Sequence, residues 1–256
     1  MIKEAHLSGK VAIVTGSSRG IGAGIALELA KKGASVTIVF TSPKSEAGAH
    51  DVASQIEQLG NDSRAIVVRA NLREVDAPDR IVKATLEAFG TKIDILVNNA
   101  GVLFSKSLRK TTADDFAAIF DVNVRAPLLM TKAVEPHLRA PGRIINVSSV
   151  GARQGFESLA MYSSSKAAIE GLTRGLAAEL GNVGHTVNAV APGPVVSEML
   201  DDVPQDTVDI QLKTTPVEHH HGTVDDVAQI VAWLSDDSAR WVSGQTISAS
   251  GGYTMY

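Results

Sequence analysis

Val11-Ala12-Ile13-Val14-Thr15-Gly16-Ser17-Ser18-Arg19-Gly20-Ile21-Gly22 is the stretch on which the fold turns. Its first four residues are an apolar run of strand type. Glycines then break the run, and residues 23–32 show a helical pattern that stops at Gly33. Strand, glycine-rich turn and helix, in that order, form the context of a dinucleotide fingerprint. Gly16 allows a tight turn, Gly20 lets a pyrophosphate approach the backbone, and Gly22 lets helix and strand pack closely. The helix N-terminus adds free N–H groups and the positive end of its dipole. Taken alone such a turn is a weak signal, and its meaning depends on what the rest of the chain carries.

Working outward, apolar β-branched segments at 11–14, 35–40, 65–68, 93–97, 143–147, 186–191 and 245–248 alternate with helical patterns. The helical stretches fall at 22–32, 47–58, 77–89, 113–138, 163–180 and 224–234. Repeated βα units predict an α/β fold with a parallel sheet covered by helices on both faces. Near-continuous apolar strands fit a sheet buried on both sides. The expectation is a single-domain, Rossmann-type doubly wound parallel sheet of about seven strands spanning residues 1–256, with ligands outside the carboxyl ends of the strands. Residues 192–222 break the rhythm. They hold four prolines, no obvious strand and only weak helical periodicity, as expected of a binding loop or lid.

Composition narrows the function classes. The chain has 256 residues, 44% hydrophobic and 20% charged, with a formal net charge of −4. That balance fills a sizeable core and argues against a nucleic-acid surface. With no cysteine there is neither a disulfide nor a thiolate nucleophile, which is compatible with the cytoplasm. Residues 1–6 lack the apolar core of a signal peptide, and no run approaches the ~18 apolar residues of a membrane span. The expectation is a cytoplasmic protein without nucleic-acid or membrane partners.

A chemical constellation lies past the middle of the chain. Tyr162 and Lys166 stand four residues apart in a helical pattern, so phenol and ammonium share a face. A cation beside a phenol is expected to lower its pKa from about 10. Ser149 ends the apolar run 143–148 and can hold a carbonyl oxygen to which the tyrosine passes a proton. Ser148 is the less suitable serine, because adjacent strand residues point to opposite faces.

Thr15-Gly16-x-x-x-Gly20-x-Gly22, Asn98-Asn99-Ala100-Gly101, Ser149, Tyr162-x-x-x-Lys166 and Pro192-Gly193 stand in the order and spacing of the short-chain dehydrogenase/reductases. The chain resembles that family from about residue 7 to 252, and within it the NADPH-dependent ketone reductases, both ketoacyl-carrier-protein reductases and fungal hydroxynaphthalene or polyketide reductases. The resemblance implies that Tyr162 is the general acid, that Lys166 tunes it and binds the nicotinamide ribose, and that Ser149 orients the carbonyl. It implies that Asn123 holds a local helix distortion and a water linked to Lys166. It assigns cofactor contacts to Gly16, Ser18, Arg19, Gly20, Ile21 and Gly22, to Asn98, Ala100 and Gly101, and to Asn71 and Leu72 beside the adenine. Pro192, Gly193, Val195 and Ser197 would hold the carboxamide, with Ser197 in place of the usual threonine. Ser250 replaces the aspartate of an Asp-Gly-Gly turn, which puts a local contact in doubt. A substrate-covering loop at 192–222 and a homotetramer built on the helices 113–138 and 163–180 are also implied.

Cofactor choice follows from charge. An NAD enzyme commonly has an acid at the end of the second strand. Here that end reads Val39-Phe40-Thr41-Ser42-Pro43-Lys44, and Thr41, Ser42, Lys44 and Arg19 can donate to a 2′-phosphate. NADP(H) is expected. His219-His220-His221 is read as a solvated loop, since consecutive side chains on an extended chain diverge; no metal site is expected. The substrate is read as a bulky, apolar or aromatic ketone, with Phe104, Phe156, Met161, Met199, Leu200 and Tyr253 as candidate pocket walls. The alternatives are a ketoacyl carrier, which Val134-Glu135-Pro136 and Asn182-Val183-Gly184 suit poorly, a non-catalytic NADP-binding protein, an epimerase-type enzyme, and an NAD-linked alcohol oxidiser.

Overall fold

A computed structural model describes residues 6–196 and 205–256. Seven strands form one sheet in the order β3-β2-β1-β4-β5-β6-β7, and every pairing is parallel. They are β1 Val11–Thr15, β2 Ser35–Phe40, β3 Ala65–Arg69, β4 Ile93–Asn98, β5 Leu138–Val147, β6 Thr186–Pro192 and β7 Thr246–Ala249. The helices are α1 Gly20–Lys31, α2 Glu46–Glu57, α3 Ala77–Phe89, α4 Ala113–Phe120, α5 Ala126–Val134, α6 Ala160–Leu180, α7 Gln205–Thr214 and α8 Val224–Ser235. Order reverses between β1 and β4, which opens a crevice at the carboxyl ends of these two strands.

Alternation along the strands builds two cores. Val14, Ile38, Val97, Ile145 and Val190 face α1, α2 and α8, packing on Ile25, Leu29, Ile56 and Val231. Ile13, Val39, Leu96 and Ile144 face the other way, onto Ile81 of α3 and Met130 of α5. Strands 1, 2, 4 and 6 are buried almost throughout, as a doubly covered parallel sheet requires.

Three elements differ from the sequence expectation. The pattern at 113–138 is not one helix: a π turn at Asp121–Arg125 separates α4 from α5, and Leu138 already belongs to β5. Helix α6 begins three residues early, at Ala160. Within 192–222 the structure holds α7, none of whose residues is buried; so exposed a helix leaves little apolar periodicity to read. Among the described residues no helix is long and apolar enough to cross a membrane.

Candidate active site

The glycine loop is fixed from beneath by polar groups at the ends of β1 and β4. The Thr15 hydroxyl accepts the backbone N–H groups of Asn99 and Ala100, each at 3.0 Å. The Asn99 amide donates to the carbonyls of Thr15 and Gly16 at 2.9 and 3.0 Å. Ser17 Oγ donates to Val14 O at 2.7 Å and accepts Val39 N at 3.1 Å. Gly16 has φ +66°, and a Cβ there would lie 2.9 Å from Ala100 Cα. A Cβ on Gly22 would overlap the Gly16 carbonyl and the Asn99 amide. The two ends of the crevice therefore touch, as close helix–strand packing at Gly22 demands. Thr15, Ser17 and Asn99 were missed as loop supports. Their signal was polarity at the end of otherwise apolar strands.

The loop fits a dinucleotide: it opens onto α1, Gly20 has φ +55°, and Arg19 at the N-cap leaves that helix end without a side-chain cap. Ser18 and Ile21 lie in the same turn. Two neighbouring side chains turn into the sheet. The Asn98 side chain is buried and donates to Asn146 Oδ1 at 2.9 Å, so it holds β4 to β5 and leaves only its backbone for a ribose contact. Asn146 in turn donates to Thr173 Oγ1 at 2.9 Å. The Thr41 hydroxyl donates to Ala70 O at 3.1 Å, so its proton is engaged within the protein. Ser42 Oγ accepts Lys44 N at 3.1 Å and keeps its own proton free; Lys44 is exposed. Asn71 Oδ1 accepts Arg73 N at 3.2 Å, which leaves it one lone pair, and Leu72 is buried.

Ser149, Tyr162 and Lys166 come together. Ser149 follows β5 and its side chain accepts Gly151 N at 3.0 Å, capping a short 3₁₀ turn at Val150–Ala152. Tyr162 sits in the first turn of α6, and its ring borders Gly151 together with the Ser149 hydroxyl: a Cβ on that glycine would lie 3.3 Å from Ser149 Oγ and 3.4 Å from the Tyr162 ring edge. Lys166, one turn on, donates from Nζ to Val147 O at 2.8 Å and lies 5.8 Å from the Tyr162 ring centre. Burial brings its ammonium down to about 8. The phenol behaves differently from the sequence expectation: burial raises it above its usual value, and the neighbouring Ser149 hydroxyl offsets only part of that rise. Asn123 lies inside the π turn. Its amide accepts Val102 N at 2.9 Å and donates to Val102 O and Ser165 Oγ, both at 3.0 Å. A Cβ on Gly101 would sit 3.4 Å from both Asn123 Oδ1 and Lys166 Nζ, so these two polar groups flank the same glycine.

Ser148 points inward, as strand alternation requires, donating to Lys166 O at 3.2 Å and to Glu170 Oε1 at 3.3 Å. Sequence reading missed the rest of this network. Arg153 donates to the buried Glu170 at 2.8 Å, and its guanidinium covers the Tyr256 ring at 4.0 Å. Thr254 donates to Gln154 at 2.9 Å across a separation of 100 residues. A Tyr-x-x-x-Lys-x-x-x-Glu spacing on one helix face was the available signal.

Beyond β6, Gly193 N donates to Ala249 O, Gly222 N to Pro194 O and Val196 N to Gly222 O, each at 2.9 Å. Val195 thus lies in a parallel bridge with Gly222, and Pro192 ends the strand. Ser250 keeps its turn without the aspartate, sharing a hydrogen bond with Ser248 at 2.9 Å and accepting Thr254 N at 3.3 Å. Ser197, Met199 and Leu200 lie outside the described residues. Of the candidate pocket walls, Met161 is buried in the core, Phe104 is exposed, and Phe156 and Tyr253 are half-buried. The histidines do not converge: His219 and His220 are exposed, His220 lies 3.3 Å from Glu218, and His221 is buried.

The family model described as enoyl-(acyl carrier protein) reductase matches residues 16–254. The chain belongs to the short-chain dehydrogenase/reductase family. It is 45% identical to a dehydrogenase, OXI1, of Cochliobolus heterostrophus, over 86% of this chain and 97% of that one. It is 38% identical to the hydroxynaphthalene reductase-like protein Arp2 of Metarhizium anisopliae, over 96% and 95%. A short-chain dehydrogenase of Burkholderia cenocepacia, solved in complex with NADP, superposes with a TM-score of 0.90 at 40% identity, covering 97% of this chain and 99% of that one. Membership makes this chain an oxidoreductase that uses a nicotinamide cofactor.

Proposed function

We propose that the protein is an NADPH-dependent carbonyl reductase that converts a ketone, bulky and apolar or aromatic, to a secondary alcohol. The convergence of Ser149 and Tyr162 about Gly151, with the buried Lys166 one turn on along the same helix face, carries this reading. The residues of the glycine loop would hold the pyrophosphate, Lys166 the nicotinamide ribose, and the Pro192–Val195 segment the carboxamide; the bound cofactor supplies hydride. Tyr162 is held protonated at neutral pH by burial and so stands ready to give its proton to the substrate oxygen. Ser149 donates to that same oxygen and stabilises the charge that develops on it. Lys166, with its pKa near 8, carries positive charge at neutral pH and favours the phenolate left behind. Asn123, held in the π turn by Val102 and Ser165, places its amide beside Lys166 and so steadies that end of the site. Residues 192–222 are proposed to cover the substrate.

The acid-free end of β2 supports NADPH, as does the NADP complex of the Burkholderia relative. The hydroxynaphthalene reductase-like relatives support a bulky aromatic ketone. A cysteine-free chain asks nothing of an oxidising compartment, in keeping with the cytoplasm. A homotetramer is supported by exposed apolar or small residues on its two helical stretches, Phe116, Leu128, Ala167, Gly171 and Gly175, and by Trp241, 95% exposed beside edge strand β7. Light scattering that returns the 26.8 kDa mass of a single chain would refute it.

A panel of aromatic, polyketide-like and carrier-linked ketones, assayed by NADPH and NADH consumption, tests the activity. Turnover of free aromatic ketones with NADPH is expected. Turnover confined to carrier-linked substrates, or faster with NADH, overturns the reading.

A further inference from the structure

Arg69 is the last residue of β3 and pairs in register with Phe40, the last residue of β2. Its Nε donates to the Thr41 carbonyl at 3.4 Å, and the side chain is exposed. Among the described residues it makes no ion pair. The Thr41 hydroxyl beside it turns away, onto Ala70 O. At the end of β2, therefore, one neutral donor is engaged by Ala70 O, and a cation that sequence reading passed over is anchored at the Thr41 carbonyl.

We propose that Arg69 binds the 2′-phosphate of NADP(H) and helps select it over NAD(H), an inference that rests on the NADPH reading above. A guanidinium carries five N–H donors in a rigid fork. One of them on the Thr41 carbonyl sets the plane and leaves the others for phosphate oxygens, for which that geometry is suited. β3 is the outer strand of the sheet, so solvent and room for an anion lie on its free side. The position also puts the charge at the carboxyl edge of the strands, beside the end of β2, with β2 and β1 between it and the crevice at β1 and β4. The competing role is electrostatic: charged side chains on edge strands discourage pairing with another chain. That role is indifferent to a 2′-phosphate, and binding measurements separate the two.

Adenosine 2′,5′-bisphosphate and 5′-AMP differ by the 2′-phosphate alone. Calorimetric titration of both into the wild type, Arg69→Gln and Arg69→Lys tests the assignment without reference to turnover. The wild type is expected to prefer the bisphosphate. Arg69→Gln should lose about 10-fold in bisphosphate affinity, the scale of a charge-assisted hydrogen bond, and stay within about twofold for AMP. Arg69→Lys should recover part of the loss. Undiminished discrimination in Arg69→Gln, or an equal loss for both ligands, overturns the role of Arg69 and leaves NADPH use standing. A wild type that binds both ligands equally overturns both.

Discussion

Residues 147–170 and residues 205–222 both lie beyond the carboxyl ends of the strands, and they are held in opposite ways. In the first segment Lys166 grips Val147, Ser148 reaches Lys166 and Glu170, Ser149 meets Tyr162, and Arg153 closes on Glu170. Polar side chains tie the loop after β5 to one face of α6 at several successive points. In the second, α7 has no buried residue, Ile210 is 61% exposed, and Glu218 and His219 adopt left-handed φ of 51° and 50°. This segment is attached mainly at its foot, through Val217 to Gly251 and Gly222 to Pro194. If residues 205–222 cover the substrate as proposed, such a site would fix the reacting atoms and leave their cover free to vary, which suits one reaction served to many substrates.

The comparison breaks most readily at Tyr162. Tyr162→Phe keeps the ring and removes the proton donor, so turnover should fall at least ~100-fold while NADPH binding, followed by fluorescence, stays as in the wild type. Near-normal turnover would remove the tied segment from the chemistry altogether.

Lys166 tests whether that segment is arranged for stability or for reaction. Its folded pKa, about 8, lies below the ~10.4 of an unfolded lysine. Below pH 8 the folded state carries a buried cation that the unfolded chain holds in water at lower cost. Wild-type stability should therefore rise as pH climbs from about 8 to about 10. Lys166→Met removes that burden. It should gain on the order of 2 kcal/mol at pH 7, after allowing for the lost hydrogen bond to Val147, and lose its activity. Denaturant melts at pH 7 and pH 9.5 read both effects, and a variant less stable than the wild type at pH 7 would show that the lysine serves the fold.

The smallest effect belongs to the loose segment. Ile210→Ser should leave stability within about 0.5 kcal/mol and kcat nearly unchanged, while KM for a bulky ketone moves a few-fold. A fall in kcat equal to the change in kcat/KM would mean that α7 takes part in the reaction geometry.

Much of this was legible in the sequence, for physical reasons. The strands of the doubly covered sheet announce themselves as apolar runs, and Tyr162, Lys166 and Ser149 are separated by helix and strand periods that dictate their facing. Asn123 and the helix distortion it holds were legible by resemblance but not by periodicity: the apolar pattern at 113–138 continues through the π turn, because one wider turn shifts a helical stripe without erasing it. Side-chain direction was the other gap. Asn98 and Thr41 stand at the right ends of the right strands, and each turns to a partner in the sheet that no local pattern reveals. The Arg153–Glu170 pair joins two elements whose separation along the chain hides their contact.

The junction of β1 and β4 has a consequence for how the chain acquires its order. Thr15 is closed onto Asn99 and Ala100 across 84 and 85 residues, and the strands it joins are neighbours at the centre of the sheet. The glycine loop cannot settle when its own strand–turn–helix unit forms. It must wait for β4, with two further crossovers already in place, so its assembly carries the loop-closure entropy of long-range contacts. On a growing chain the nucleotide cradle is thus a late product of folding, although nearly all its residues are among the first to be made. A fragment ending before Asn98 would possess the whole fingerprint and hold it in no fixed shape.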